Sequence, residues 1–219
     1  MTAPFAILTV CTGNVHRSPL AATLLHTWAE WYLPSTLARD VTVRSAGLAA
    51  PVGAPMSSRI QAVASSLGAD GSGHRASQIS DDVIAGSHLV LVATRRQRDE
   101  VLNRVPSALR MTFTIREAGA LAATIADRPR PQGIQDLFSV VAELAERRGV
   151  HSDADGGDII DPQGLELDAY VDMTREEVIP LAYLAEVLLG MPAADVAAYR
   201  AAAEDSVALR SLLAGVVSR

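Results

Sequence analysis

The strongest constraint on the fold is an apolar run that ends at a glycine-bearing turn and resumes as a helix. Phe5-Ala6-Ile7-Leu8-Thr9-Val10 leads directly into Cys11-Thr12-Gly13-Asn14-Val15-His16-Arg17-Ser18-Pro19. The run reads as a buried parallel strand. Gly13 and Asn14 tolerate the turned backbone conformations that aim several N–H groups into one concavity. Pro19 suits the first position of a helix, so the unpaired N–H groups and dipole of that helix face the same concavity. Arg17 adds a planar fork that matches two oxygens of a phosphate. Thr12, Gly13, Asn14, Val15, His16, Arg17 and Ser18 are thus expected to line an anion cradle with Cys11 at its base. A field that attracts an anion also stabilises negative charge on sulfur, and the thiolate is the nucleophilic form of cysteine.

A lone cysteine at a strand end is, taken by itself, more readily a small buried hydrophobe. The register of Gly13, Asn14, Arg17, Ser18 and Pro19 around Cys11 turns the balance toward chemistry. Two other phosphate loops fail on composition. A Walker loop needs Gly-Lys-Ser/Thr, and the chain has no lysine; a Rossmann loop needs Gly-x-Gly-x-x-Gly after the strand, which this turn does not carry.

Downstream, Leu20 to about Trp31 has apolar residues at helical spacing (Leu20, Leu24, Leu25, Trp28) and predicts the first helix. Val41 to Ser45 reads as a second strand ending at Gly47. Ser57 to Leu67 and Ser80 to Ala85 predict helices, and Leu89 to Ala93 an interior strand. Met111 to Ile115 is a further strand candidate followed by a helix. Arg128 to Gly133 is a Pro/Gly loop, and Ile134 to Arg148 an amphipathic helix with Leu137, Val140, Val141 and Leu144 on one stripe. His151 to Gly157 reads as a polar, acidic loop. Ala193 to Arg219 again has helical spacing. Strands alternating with helices predict an α/β fold in three layers: a central parallel sheet, helices on both faces, and the phosphate-binding loop after the first strand. Ligands in such folds bind at the carboxyl ends of strands, where Cys11 lies.

At 219 residues the chain is long enough for one full core. Its net charge of −6 argues against a nucleic-acid-tracking surface, which needs a basic excess. One cysteine cannot form an internal disulfide, and a catalytic thiolate would oxidise outside the cell. The start, Met1-Thr2-Ala3-Pro4, lacks a signal peptide's basic and apolar regions, and no segment approaches ~18 uninterrupted apolar residues. A cytoplasmic protein without a membrane or nucleic-acid partner is expected.

The cysteine loop, Arg44-Ser45-Ala46-Gly47, His74-Arg75-Ala76-Ser77-Gln78-Ile79, Leu89-Val90-Leu91-Val92 and Asp158-Ile159-Ile160-Asp161-Pro162 occur in the order that resembles the low-molecular-weight protein tyrosine phosphatase family. That family's loop reads Val-Cys-x-Gly-Asn-x-Cys-Arg-Ser-Pro, with an Asp-Pro acid far downstream. The resemblance implies phosphatase activity on phosphorylated proteins, phosphotyrosine above all, through a cysteinyl-phosphate intermediate without metal or cofactor. Cys11 would be nucleophile, Arg17 the phosphate clamp and Asp161 the general acid and base, with Asp158 its rival. Ser18 would hydrogen-bond the Cys11 sulfur, or cap the helix starting at Pro19. Asn14 and Ser45 would brace the loop, and His74 matches a structural histidine. The implied organisation is a phosphatase-like domain over 1–190, with an insertion around 98–157 read as surface elaboration rather than a lid, and a helical extension over 191–219. That extension either folds back or forms a self-association face, and the sequence leaves both open.

Three departures bear on substrate choice. His16 replaces a second loop cysteine and, if protonated, would add positive potential. Gln163-Gly164 follows Asp161-Pro162 where relatives place an aromatic residue. Leu48-Ala49-Ala50-Pro51-Val52 offers no aromatic wall. Rival readings are a protein-arginine phosphatase, in whose branch a threonine stands where this chain has Val15, an arsenate reductase using an external thiol, and a catalytically weak phosphate-binding module.

Overall fold

In the computed structural model, which describes residues 4–125, 128–148 and 157–216, four parallel strands form one sheet. They are β1 (Phe5–Cys11), β2 (Val41–Gly47), β3 (Leu89–Val92) and β4 (Thr112–Thr114), in the order β2-β1-β3-β4. β1 pairs with β2 from Phe5↔Val41 to Cys11↔Gly47, and with β3 from Ile7↔Leu89 to Val10↔Val92. The order switches direction at β1, so the crevice beyond the carboxyl ends of β1 and β3 is where this topology places a ligand.

Strand alternation divides the core between the two faces. Phe5, Ile7, Cys11, Leu89 and Leu91 belong to the larger cluster, and Leu8, Val10, Val90 and Val92 to the smaller one. The larger face carries α1 (Arg17–Tyr32), α3 (Ser58–Ser66), α6 (Ile115–Ala122), α7 (Ile134–Arg148) and α8 (Leu167–Leu189), α2 being a single turn over Ser35–Ala38. The smaller face carries α4 (Asp81–Ala85), α5 (Arg95–Arg104) and the 3-10 segment Pro106–Met111. This is the expected three-layer α/β architecture. No helix among the described residues is long and apolar enough to cross a membrane.

Four expectations need correction or completion. The first helix starts at Arg17 rather than Pro19, because the loop finishes its turn at His16, so Ser18 lies inside the first turn and is not its cap. The stretch read as surface elaboration is core: Phe113 of β4, Leu121 of α6, and Leu137, Val140 and Leu144 of α7 are all fully buried. Residues 149–156, which hold most of the expected acidic loop, lie outside the described residues. The tail folds back. In α9 (Ala193–Glu204) and α10 (Ser206–Ala214), Val196, Ala203, Leu209 and Leu213 join the larger cluster. Tyr199 packs edge-on against Trp28 at 4.7 Å between ring centroids, and Arg210 Nε donates to Asp168 Oδ1 at 2.7 Å.

Since α7 buries its stripe in the main core, Leu137→Ala is expected to cost about 2–5 kcal/mol of global stability. Chemical denaturation would show this as a lower midpoint at unchanged slope; a loss below ~1 kcal/mol would mean α7 is peripheral.

Candidate active site

The loop between β1 and α1 closes around the Cys11 sulfur. Asn14 holds φ at 53°, the one positive φ at a non-glycine position among the described residues, and its N–H donates to Cys11 Sγ at 3.2 Å. Asparagine is among the few residues that enter this region at modest cost. Its side chain anchors the turn on both sides: Nδ2 donates to Ser18 Oγ at 2.9 Å, and Oδ1 accepts from Ser77 N at 2.8 Å. Ser18 Oγ stands 3.0 Å from Cys11 Sγ. The Asn14 amide occupies a lone pair of that oxygen, so the hydroxyl proton has two acceptors in reach, the sulfur at 3.0 Å and the Ala46 carbonyl at 3.4 Å.

Further ties hold the loop from outside. His74 Nε2 donates to the Asn14 carbonyl at 2.8 Å, and Ser57 N, at the start of α3, donates to Val15 O at 3.0 Å. Leu48 N and Ala49 N donate to Cys11 O and Thr12 O at 3.0 and 2.9 Å. A glycine is required at 47, since a Cβ there would lie 2.6 Å from the Thr12 carbonyl oxygen. Gln97 of α5 completes the enclosure: its Nε2 donates to Thr12 Oγ1 at 3.1 Å while its Oε1 accepts from Ala93 N at 3.0 Å. Ser45, expected to brace the loop, makes no hydrogen bond to it among the described residues; its side chain instead lines a cleft of about 530 Å³ with Arg44, His74 and Ser77. Backbone and side chain of 74–77 do the bracing in its place.

Arg17 is buried, with Nη1 donating to Ile159 O at 3.1 Å and Nη2 paired with Asp161 Oδ2. The segment carrying Asp161 docks on the sheet through Ile159 N, which donates to Ala93 O at 2.9 Å at the end of β3. Ile160 N is held by Glu176 Oε2 at 2.9 Å. The two candidate acids are separated by these ties. Asp158 Oδ1 accepts the Arg95 N–H at 2.8 Å in the first turn of α5, whereas Asp161 reaches the buried arginine and stays half-exposed. The loop that holds Cys11 is therefore joined, through Arg17, to Asp161, 144 residues further along the chain. Sequence reasoning missed Gln97, Ser77, Glu176 and the buried Glu177. Only Gln97 left a trace, in the capping spacing Thr94-x-x-Gln97.

A sequence model of the low molecular weight phosphotyrosine protein phosphatases matches residues 6–148. The chain belongs to this family of phosphoric monoester hydrolases. A protein-arginine-phosphatase from Geobacillus stearothermophilus is 37% identical over 114 residues, 52% of this chain and 71% of that protein. A probable low molecular weight protein-tyrosine-phosphatase, EpsP from Ralstonia nicotianae, is 35% identical over 141 residues, 64% of this chain and 88% of that protein. A YwlE mutant from Bacillus subtilis shares the fold, with a TM-score of 0.57 at 22% identity over 83% of this chain and 97% of that one. The family match contains the whole cysteine loop and Gln97 but ends before Asp161.

Within this phosphatase family fold, the departures in the sequence have structural consequences. His16 is buried against Tyr170, with ring centroids 5.9 Å apart, and burial lowers its pKa; Asp161 pulls upward and Arg17 downward with smaller effect. The imidazole is therefore neutral near pH 7 and adds no charge to the cradle. Burial lowers His74 as well. Gln163 overhangs the loop: a Cβ on Gly13 would lie 4.0 Å from its Oε1. Beside Gly13 the loop thus meets the polar end of Gln163 as well as the Val15 methyl, 3.6 Å from that Cβ.

Both histidines have folded-state pKa values below their ordinary 6.5. As pH falls through 6.5 the unfolded chain takes up protons that the folded one does not, so stability is lost on acidification and recovered as pH rises. Thermal midpoints are expected to fall below pH 6.5, with a shallower slope in a His16→Asn, His74→Asn double variant. An unchanged slope in that variant would remove these histidines as the cause.

Proposed function

We propose that this protein is a phosphatase acting on phosphorylated proteins, phosphotyrosine first, through a cysteinyl-phosphate intermediate. The observation that carries the reading is the pairing of Cys11 Sγ with the Asn14 N–H and the Ser18 hydroxyl in the loop whose Arg17 reaches Asp161. In the first step Cys11 Sγ attacks phosphorus and forms the S–P bond as the P–O bond to the leaving group breaks. Arg17 and the loop N–H groups take up charge on the equatorial oxygens. Protonated Asp161 gives its proton to the leaving oxygen. In the second step the Asp161 carboxylate accepts a proton from water as that water attacks the phosphocysteine, releasing inorganic phosphate and restoring the thiolate. The Ser18 hydroxyl, by donating to sulfur, stabilises the thiolate as attacking and leaving group.

A second reading, a protein-arginine phosphatase, draws on the polar end of Gln163 beside the loop and on the name of the relative from Geobacillus stearothermophilus. Val15, where that branch carries threonine, favours phosphotyrosine.

Steady-state hydrolysis of an activated aryl phosphate, with phosphotyrosine and phosphoarginine peptides in parallel, tests the proposal. Cys11→Ser is expected to abolish turnover by at least ~10³-fold while retaining oxyanion binding. Asp161→Ala should slow poor leaving groups by ~10²-fold or more and spare activated ones. Residual turnover in Cys11→Ser near wild type would end the mechanism. The same leaving-group pattern in Asp158→Ala would transfer the acid role to Asp158, and a preference for phosphoarginine would transfer the substrate.

A further inference from the structure

Two carboxylates among the described residues are buried outside the proposed chemistry: Glu117, which is paired with Arg98 and Arg148, and Glu177, which is not. Glu177 lies on the buried face of α8, fully inaccessible, and neither of its oxygens has a hydrogen-bond partner. Its carboxyl sits beside the first turns of α1, next to the Ala21 backbone, and Arg17 is the charged group that acts on it. Arg17 has an orphan of its own. Its two terminal nitrogens are spent on Ile159 O and Asp161, while Nε is buried without a partner. Two buried, unpartnered polar groups of complementary kind, a donor and a pair of acceptors, thus lie on α1 and α8, two helices that pack against each other.

An ionised carboxylate this deep would have to be paired to be tolerated. Burial keeps its pKa well above the usual carboxylate range, against the weaker opposing pulls of Arg17 and of the Ala21 backbone N–H. Even a neutral unsatisfied carboxyl destabilises the core, and an apolar side chain of similar size would pack there at lower free energy. Retention of such a group fits a requirement that arises only when the neighbouring arginine changes partners. The proposed chemistry imposes one: Arg17 has to turn its fork from Asp161 to the phosphate, because Asp161 must carry a proton to the leaving group.

We propose that Glu177 is a positioning residue for Arg17, a buried carboxyl that accepts the Arg17 Nε–H from behind when the guanidinium exchanges Asp161 for phosphate. Glu177 touches no substrate and acts only through the arginine. The inference rests on the reading of Arg17 as the phosphate clamp. Its effect is to fix the plane of the guanidinium, on which bidentate phosphate recognition depends.

The test compares Glu177→Gln and Glu177→Leu in the full chain, reading kcat/KM on an aryl phosphate, the inhibition constant of inorganic phosphate, and the thermal midpoint. The amide still offers an acceptor to Nε, so Glu177→Gln is expected within ~3-fold of wild type in both constants. Glu177→Leu is expected to raise the thermal midpoint, yet to lose ~10-fold or more in kcat/KM and to weaken phosphate inhibition in parallel. A merely structural carboxyl would give the gain in stability with unchanged kinetics. A folded Glu177→Leu protein as active as wild type, or a Glu177→Gln protein as impaired as Glu177→Leu, overturns the proposal. If the branched side chain prevents folding, Glu177→Met carries the same readouts with an unbranched one. Failure of the underlying reading would look different, as wild-type turnover that survives Cys11→Ser.

Discussion

The positive φ of Asn14 is the point on which the site depends. A chain leaving a parallel strand and entering a helix in so few residues would ordinarily present a mixture of carbonyl and N–H groups to the crevice. Asn14 at φ 53° reverses the local direction of the backbone, so its N–H faces the sulfur while its carbonyl faces away, onto His74. That conformation costs an L-residue roughly 1–2 kcal/mol. It is offset here by the bonds to Ser18 and Ser77, which use both ends of the Asn14 amide. Local strain, loop closure and the ligands of the sulfur are one arrangement, and a residue without an amide side chain could not supply all three.

Around that turn the fold supplies rigid neighbours on every side. Gly47, opposite Cys11 in the β1–β2 register, lets the loop approach β2 closely enough for Leu48 and Ala49 to bind its carbonyls. Gln97 ties Thr12 to the end of β3, and α3 begins on the Val15 carbonyl. These contacts come from elements that flank β1 at the switch in strand order, which is why a cradle built here is held from several directions at once.

The sequence made the first strand, the cradle and the α/β class legible because each carries a local signal: an unbroken apolar run, a turn with Gly13 and Asn14, and alternation of periods. The stripe on α7 was legible for the same reason. The start of α1 was misread because Pro19 suits a first helical turn at several positions. The loop's support was not legible. α5 buries little beyond Gln97 and Val101, so it has no apolar stripe to announce it. Ser77 contributes a backbone N–H, which has no residue signature. Glu176 and Glu177 stand side by side in a run of charges on α8, and nothing in their order says that one holds the Asp161 segment while the other is fully buried. A helix places adjacent residues about 100° apart, so their separate fates follow from the neighbours they meet and not from the residues themselves.

The same geometry explains why the segment carrying Asp161 is firm on the side that precedes it. Asp158 is bound to the start of α5, Ile159 to Ala93 through its N–H and to Arg17 through its carbonyl, and Ile160 to Glu176. Asp161 is the first residue past these ties, and its side chain contacts the buried arginine from a half-exposed position. A carboxyl that must hold a proton, release it and take it back needs access to water and a choice of partners. Asp158 is as open to water, its side chain 46% exposed against 40% for Asp161, and differs in being held by the Arg95 N–H at the start of α5. Pinning three consecutive residues brings Asp161 to the cradle at low conformational cost, where its carboxylate is shared between Arg17 and the Gln163 N–H at 3.3 Å.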